Sequence, residues 1–311
     1  MADFKFNFAS TESDEETNIS PCETETELFS PRKEIRQAKE IVIPCNFSSY
    51  VSSGVEEMAI GNFCIKHVSE SNVEENLKGK QECSSQDIVT AAKNNTDLIP
   101  LVYEGGLKIW ECSVDLVEYL MESNVECEGK RVLEIGCGAG LPGIFTLLQG
   151  AEVDFQDYNE DVIEYVTIPN VLLNLEQLRE SKACESDSGT TFDLLQEARK
   201  RCRFFTGDWE SVVDFINPEL VEEKMYDLIL TSETIYSVDS HAKLYYFIKR
   251  HLKKPYGVAY VAAKTYYFGV GGGTRSFENV VKTDGVFDIS VCKVYGDGVQ
   301  REILCMTCHE G

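Results

Sequence analysis

The sequence predicts an α/β fold: a largely parallel seven-stranded sheet with helices on both faces, closed by a C-terminal antiparallel hairpin. Three observations predict it. From about residue 107, short apolar runs rich in β-branched and aromatic residues alternate with amphipathic stretches, the rhythm of βαβ units around a buried sheet. The first of these runs, RVLEIG, ends in glycines that open a helix. The last two, FDISVCKVY and VQREILCMTC, are separated by Gly-Asp-Gly, a hairpin turn.

Taken in order, residues 1–30 hold eight acidic side chains against one Lys and few branched apolar residues. Such a stretch buries too little surface to offset its chain entropy and is expected to be largely disordered, with Phe4, Phe6 and Phe8 as a docking patch. Strand-like runs IVIP and FCIKHV follow within residues 41–65, then a Lys-, Glu-, Ser- and Asn-rich linker to about residue 95. The expected division is therefore 1–95, acidic and largely disordered with short strand-like segments, and 96–311, the α/β domain. Residues 107–122 place Trp110, Val114, Val117 and Leu120 at helical spacing. The strands then read EVDFQD, CRFFTG, YDLILTS and GVAYVAAK, with DVIEYVTIPNVLLNLEQL, WESVVDFI and HAKLYYFIKRHL as intervening helices. A polar insertion at 176–201 ends in Arg199, Lys200 and Arg201, with Arg203 just beyond. This basic cluster reads as a solvated face or, as the rival, a nuclear-import signal.

Composition narrows the partners. The chain has 311 residues, 43% of them hydrophobic, enough for a sizeable core, and a formal net charge of −24. Tracking a nucleic-acid backbone needs clustered Lys and Arg, so direct nucleic-acid binding is not expected, whereas a basic protein partner fits. No run is long and apolar enough to cross a bilayer, and the N-terminus lacks the layout of a secretory signal. The twelve cysteines therefore read as reduced thiols. Cys305 and Cys308 form the single CxxC, followed by His309, without a second ligand pair at metal spacing, so no metal is expected. His67, His241, His251 and His309 sit in no motif and read as ordinary surface or core residues.

Glu134-Ile135-Gly136-Cys137-Gly138-Ala139-Gly140 follows a strand and precedes the LPGIFTLLQ helix. Glycines there permit a tight turn and close backbone approach to a ligand. Gly138, Gly140 and Gly143 also satisfy GxGxxG, so an NAD-dependent oxidoreductase must be weighed. Glu134 suits a ligand with an ammonium group and would crowd a pyrophosphate, and the loop lies unusually far into the chain. Asp157, ending the next strand, suits a ribose diol in either case. Gly207-Asp208-Trp209 ends the third strand, with an acid for an adenine amino group and an indole to stack or to pack in the core. These features favour S-adenosylmethionine. Ser232-Glu233-Thr234-Ile235-Tyr236 ends the fourth strand and lacks the Asn/Asp-Pro-Pro-aromatic run of base methyltransferases. FGVGGGT at 268–274 lacks the Lys-Ser/Thr of a phosphate loop and reads as a flexible substrate-facing loop.

DLIPLVYEGGLKIWECS, VLEIGCGAGLPGI, FQDYN, CRFFTGDW, YDLILTSETIY and YYFGVGGGT together resemble the protein histidine methyltransferases of eukaryotes. These stand beside the protein lysine methyltransferases with a Glu/Asp-x-x-Tyr motif. The resemblance covers about residues 97–308, plus the FKFNF start, and implies a Rossmann-like class I methyltransferase sheet. It implies that Ile109, Trp110, Glu111, Cys112 and Ser113 close over the cofactor, and that Glu134, Gly136 and Gly138 form its glycine loop. It assigns Asp157 and Tyr158 to the ribose, Gly207, Asp208 and Trp209 to the adenine, and Ser232 to the cofactor lining. Glu233 and Tyr236 match the motif at the substrate entrance. The implied substrate is a histidine, through its tele nitrogen, of a large-subunit ribosomal protein. The implied setting is ribosome biogenesis or translation, with a monomer working in cytoplasm and nucleus, the nucleolus included. A lysine methyltransferase of the same fold and a non-catalytic cofactor-binding module are the alternatives.

The chemistry asks little beyond positioning. Imidazole, with a pKa near 6.5, is mostly neutral at cytosolic pH and needs the right tautomer rather than a strong base. An acceptor at Nδ1–H leaves the Nε2 lone pair free, and Glu233 is the expected acceptor, with Tyr236 holding the ring. The rival reading has both residues merely shaping the rim.

Overall fold

A computed structural model describes residues 35–44, 54–78, 87–94, 96–185, 193–296 and 298–309, without the side chains of 181–185. The acidic N-terminal stretch with Phe4, Phe6 and Phe8, and the middle of the polar insertion, lie outside the described residues. In chain order the elements are β1 (Lys39–Glu40), β2 (Val55–Ile60), β3 (Phe63–Val68), α1 (Glu70–Lys78), α2 (Asp87–Lys93) and α3 (Glu111–Glu122). Then come β4 (Arg131–Ile135), α4 (Leu141–Leu148), β5 (Glu152–Asp157), α5 (Glu160–Val162), α6 (Ile168–Glu185) and α7 (Leu194–Arg201). The chain ends with β6 (Cys202–Thr206), α8 (Trp209–Phe215), β7 (Leu228–Ser232), α9 (Val238–His251), β8 (Val258–Lys264), α10 (Thr274–Asp284), β9 (Phe287–Tyr295) and β10 (Arg301–Cys308).

The main sheet has the order β1-β6-β5-β4-β7-β8-β10-β9. Strands β6, β5, β4, β7 and β8 are parallel, while β10 runs antiparallel between β8 and β9. This is the expected seven-strand sheet with its hairpin, and one short strand added at the edge, where β1 pairs antiparallel with β6. Alternation along each strand feeds two cores. Leu133 and Ile135 of β4 join Val213, Phe247, Ile248 and Phe277 on one face. Val132 joins Leu116, Ile144, Phe155 and Val171 on the other. Chain order reverses between β4 and β7, so the loops leaving their carboxyl ends diverge and open a crevice there.

Two stretches differ from the sequence reading. The expected linker before residue 95 contains α1 and α2, whose Val73, Leu77, Ile88, Val89 and Ala91 are buried. These helices are short, and their buried residues stand among Glu, Asn, Asp and Lys, so their overall polarity hid them. IVIP stays extended rather than forming its own strand: Ile41 and Ile43 are buried, Val42 is exposed, and the Ile41 N–H donates to the Phe204 carbonyl. The basic cluster is also largely bound into the fold. Arg199 donates to the Ile43 carbonyl, Arg201 to the Ala151 carbonyl, and Arg203 pairs with Asp154. Among the described residues no helix is long and apolar enough to cross a membrane.

Candidate functional site

The crevice holds a cavity of about 420 Å³, of the size that takes a nucleoside-class ligand. Its floor is the turn after β4. Gly136 and Gly138 adopt φ of 61° and 49°, left-handed values that glycine tolerates best. A Cβ on Gly136 would come within 2.5 Å of the Thr234 methyl, and one on Gly138 within 3.1 Å of the Gly106 carbonyl oxygen. Backbone therefore forms a smooth cradle where side chains would fill the space.

Asp157, at the end of β5, holds this turn. Its Oδ2 accepts from the Gly138 N–H at 2.9 Å and its Oδ1 from the Asn159 N–H at 3.0 Å. Burial pushes its carboxyl up to about 6 despite those bonds. Each oxygen keeps lone-pair capacity for a hydroxyl. Tyr158 donates to the Leu101 carbonyl at 2.8 Å, with the Arg36 guanidinium 4.5 Å from its ring centroid. The Trp209 indole N–H donates to Gln156 Oε1 at 2.9 Å, so its ring stands as a fixed wall of the cavity. Asp208 caps α8 by accepting from the Glu210 N–H and lies 3.3 Å from Lys243 Nζ.

The opposite wall is residues 97–110. The Asn159 side chain accepts from the Glu104 N–H and donates to the Val102 carbonyl, tying this wall to the end of β5. Trp110 is fixed by its indole N–H on the Gly105 carbonyl, 3.0 Å away, and Ser113 Oγ donates to the Trp110 carbonyl. Across the mouth the Tyr236 hydroxyl donates to Glu104, whose carboxyl burial holds above its ordinary range. Glu233 has a positive φ of 57° at the reversal after β7. The Tyr267 hydroxyl donates to its Oε2, and its Oε1, covered by protein, makes no hydrogen bond and lies 3.8 Å from Lys264 Nζ.

Most of the residues singled out by sequence meet here. Ile109, Trp110, Ser113, Gly136, Gly138, Asp157, Tyr158, Asp208, Trp209, Ser232, Glu233 and Tyr236 all line the cavity. Four others stand behind the lining. Glu134 is fully buried, with Oε2 accepting from the Gly143 N–H at 2.9 Å, and so braces the start of α4. Cys112 is buried beneath the wall, and Glu111 points toward Lys264 and Arg301, 3.8 and 3.7 Å away. Gly207 presents its carbonyl to the Gln156 amide. Sequence reasoning missed Glu104, Lys243, Lys264 and Tyr267. Glu104 and Lys243 lie in loop and helix positions with no spacing signal, whereas Lys264 and Tyr267 flank the end of a recognisable strand. Six acids line the cavity (Asp97, Glu104, Asp157, Asp208, Glu233 and Asp239) against two lysines, Lys108 and Lys243. That excess suits a ligand carrying positive charge, as a sulfonium with an ammonium does, and disfavours a pyrophosphate.

Strand β10, antiparallel between β8 and β9, separates this sheet from the all-parallel dinucleotide-binding order and removes support from the oxidoreductase alternative. The chain is an S-adenosylmethionine-dependent methyltransferase of the α/β class. A family model described as "Lysine methyltransferase" matches residues 101–186. Histidine protein methyltransferase 1 homolog of Rattus norvegicus is 37% identical over 310 residues, 97% of this chain and 84% of the rat protein. That of Dictyostelium discoideum is 44% identical over 216 residues, 69% of this chain and 61% of its own length. The mouse "EEF1A lysine methyltransferase 3" is 27% identical over 157 residues, half of this chain. The chain belongs to the histidine protein methyltransferase 1 family.

Proposed function

We propose that this protein methylates one histidine, at the tele nitrogen, of a basic large-subunit ribosomal protein, and acts in ribosome biogenesis or translation in cytoplasm and nucleus. The relatives' names support histidine as the acceptor. The observation that carries the reading is the meeting of Glu233 and Tyr236 with the glycine cradle in one acid-lined cavity. Gly136, Gly138, Asp157, Trp209 and Ser232 would hold S-adenosylmethionine, which supplies an already activated methyl group. The chain's own task is then to present Nε2 with its lone pair free and to keep water out. Glu233 Oε1, free of hydrogen bonds, is the acceptor for Nδ1–H; it is covered in this structure, so the wall must yield as the ring enters. Tyr236, anchored by Glu104, limits the ring's rotation. Tyr267 and Lys264 hold Glu233 from behind.

The test is to incubate the purified protein with labelled S-adenosylmethionine and extract of cells lacking it, then hydrolyse the labelled bands. Methylhistidine in one basic ribosomal band is the expected result, and Glu233→Gln should lower the rate roughly 100-fold. Methyllysine in that band would move the substrate class to lysine. Full turnover by Glu233→Gln would remove that residue from the mechanism.

A further inference from the structure

After β8 the chain enters a glycine-rich loop whose Val270 lines the cavity and whose buried Tyr267 holds Glu233. The Tyr267 ring is buried behind Glu233, its hydroxyl both donating to Glu233 and accepting from the Lys264 N–H at 3.2 Å. Its backbone closes the loop: Tyr267 N–H donates to the Gly272 carbonyl, and Gly271 N–H donates to the Tyr267 carbonyl. The loop is stitched to the other wall as well. Gly272 N–H donates to the Tyr236 carbonyl, and Gly271 pairs with Ser237 in an antiparallel bridge.

Burying Tyr267 turns its two neighbours outward. Tyr266 is 48% exposed and Phe268 72% exposed, and their rings meet edge to face with centroids 5.1 Å apart. Just beyond the bridge, Val238 is 52% exposed, and Asp239, which lines the cavity mouth, is exposed with no ion pair among the described residues. Tyr267 and Val270 supply the loop's packing against the core, and the outer rings of Tyr266 and Phe268 take no part in it. Aromatic faces and exposed carboxylates are both receptors for Arg or Lys side chains, and the Gly271–Ser237 bridge ties the loop that carries the rings to the segment that carries Asp239. The acid-rich cavity next to it and the net charge of −24 point to the same chemistry.

We propose that Tyr266 and Phe268, with Asp239, form a docking rim that grips a basic segment flanking the target residue of the protein substrate. The inference rests on the protein-substrate reading above. It also explains why the rim is tied by hydrogen bonds to the segment carrying Tyr236: a flank seated on the rim sets the register of the target ring against that wall.

The test uses the full-length protein in the same labelling assay, with the rate into whichever band the wild type labels followed against extract concentration. Phe268→Ala, and Tyr266→Ala with Phe268→Ala, should raise the concentration for half-maximal rate by about five- and tenfold, the scale of one or two cation–π contacts. The maximal rate should hold, and S-adenosylhomocysteine affinity, read from tryptophan fluorescence, should not change. Tyr256→Ala is the control: Tyr256 is 89% exposed but precedes β8, at the amino end of the parallel strands and opposite the carboxyl ends that carry the cavity, and should have no effect. An arginine-rich peptide without histidine should compete with the wild type far better than a glutamate-rich one. Unchanged half-saturation in the double variant, equal competition by the two peptides, an equal effect of Tyr256→Ala, or loss of cofactor affinity would each overturn the rim. Methyllysine in the wild-type band would overturn the histidine reading and leave the rim standing, whereas no label at all would overturn both.

Discussion

At the scale of single residues, Glu134 shows how the fold controls charge. Its side chain is fully buried, one oxygen bonded to the Gly143 N–H and the other to nothing, and burial pushes its carboxyl up to about 8. Between about pH 4.5 and 8 the folded protein therefore keeps a proton that the unfolded chain has released. Stability from this group is greatest at low pH, falls as pH rises through that window, and levels off above about 8. Asp157 and Asp161, each pushed to about 6 by burial, add the same sign in a lower window. Glu134→Gln keeps an oxygen for Gly143 and removes the titration. The variant should match the wild type near pH 5 and exceed it by about 3 kcal/mol at pH 7, from the 1.36 kcal/mol per pH unit of linkage. Thermal unfolding across pH 5 to 8 reads this directly, and a difference independent of pH would refute it. The same variant separates the two roles of Glu134. Retained S-adenosylhomocysteine affinity makes it a brace for the loop, and lost affinity makes it the acceptor for the ligand's ammonium.

At the scale of elements, α6 joins the N-terminal hairpin, in which β2 and β3 pair antiparallel, to the cofactor loop through two asparagines. Asn174 pairs with both backbone groups of Lys66, accepting at 2.9 Å and donating at 2.7 Å. Asn170 accepts from the Val68 N–H at 2.8 Å and donates to the Ala139 carbonyl at 3.0 Å, so it touches β3 and the glycine turn at once. Replacing either by Ala leaves buried backbone groups unpaired, at about 2 to 4 kcal/mol. Hydrogen exchange at Phe63–Val68 should quicken in both variants, but only Asn170→Ala should weaken S-adenosylhomocysteine binding. Equal weakening by Asn174→Ala would show that the hairpin, not the Ala139 bond, supports the loop. This joint also marks where the sequence stops being legible. The parallel strands were readable because VAYVAAK is a nearly continuous apolar run, and EVDFQD and CRFFT are short runs carrying Val153, Phe155, Phe204 and Phe205 between amphipathic helices. The glycine turn was readable because its backbone must take left-handed φ. The hairpin buries Ile60, Ile65 and Val68 in the core, but the hydrogen bonds that join it to α6 come from two polar residues inside a long helix, which no periodicity reveals. Glu104 was hidden for a similar reason: only the fold brings it across the cavity to Tyr236, 132 positions away in the chain.

At the scale of the whole molecule, charge decides how partners meet the site. A net charge of −24 opposes compaction and repels phosphate backbones, yet six acids are gathered around the cavity where a protein substrate must arrive. A field of this kind steers a basic partner toward the mouth and does little for a small ligand already enclosed. The screening length shrinks from about 10 Å at 0.1 M salt to about 3 Å at 1 M, below the span of the rim but not below a buried contact. Raising salt over that range should therefore lower kcat/KM for the protein substrate by about an order of magnitude, mainly through association. The affinity for S-adenosylhomocysteine should change less than about twofold, because its contacts are desolvated. Parallel loss of both would place the salt effect in the cofactor pocket or in folding. No loss of either would mean that the acidic surface does not guide the substrate, and that recognition lies in shape and apolar contact at the rim alone.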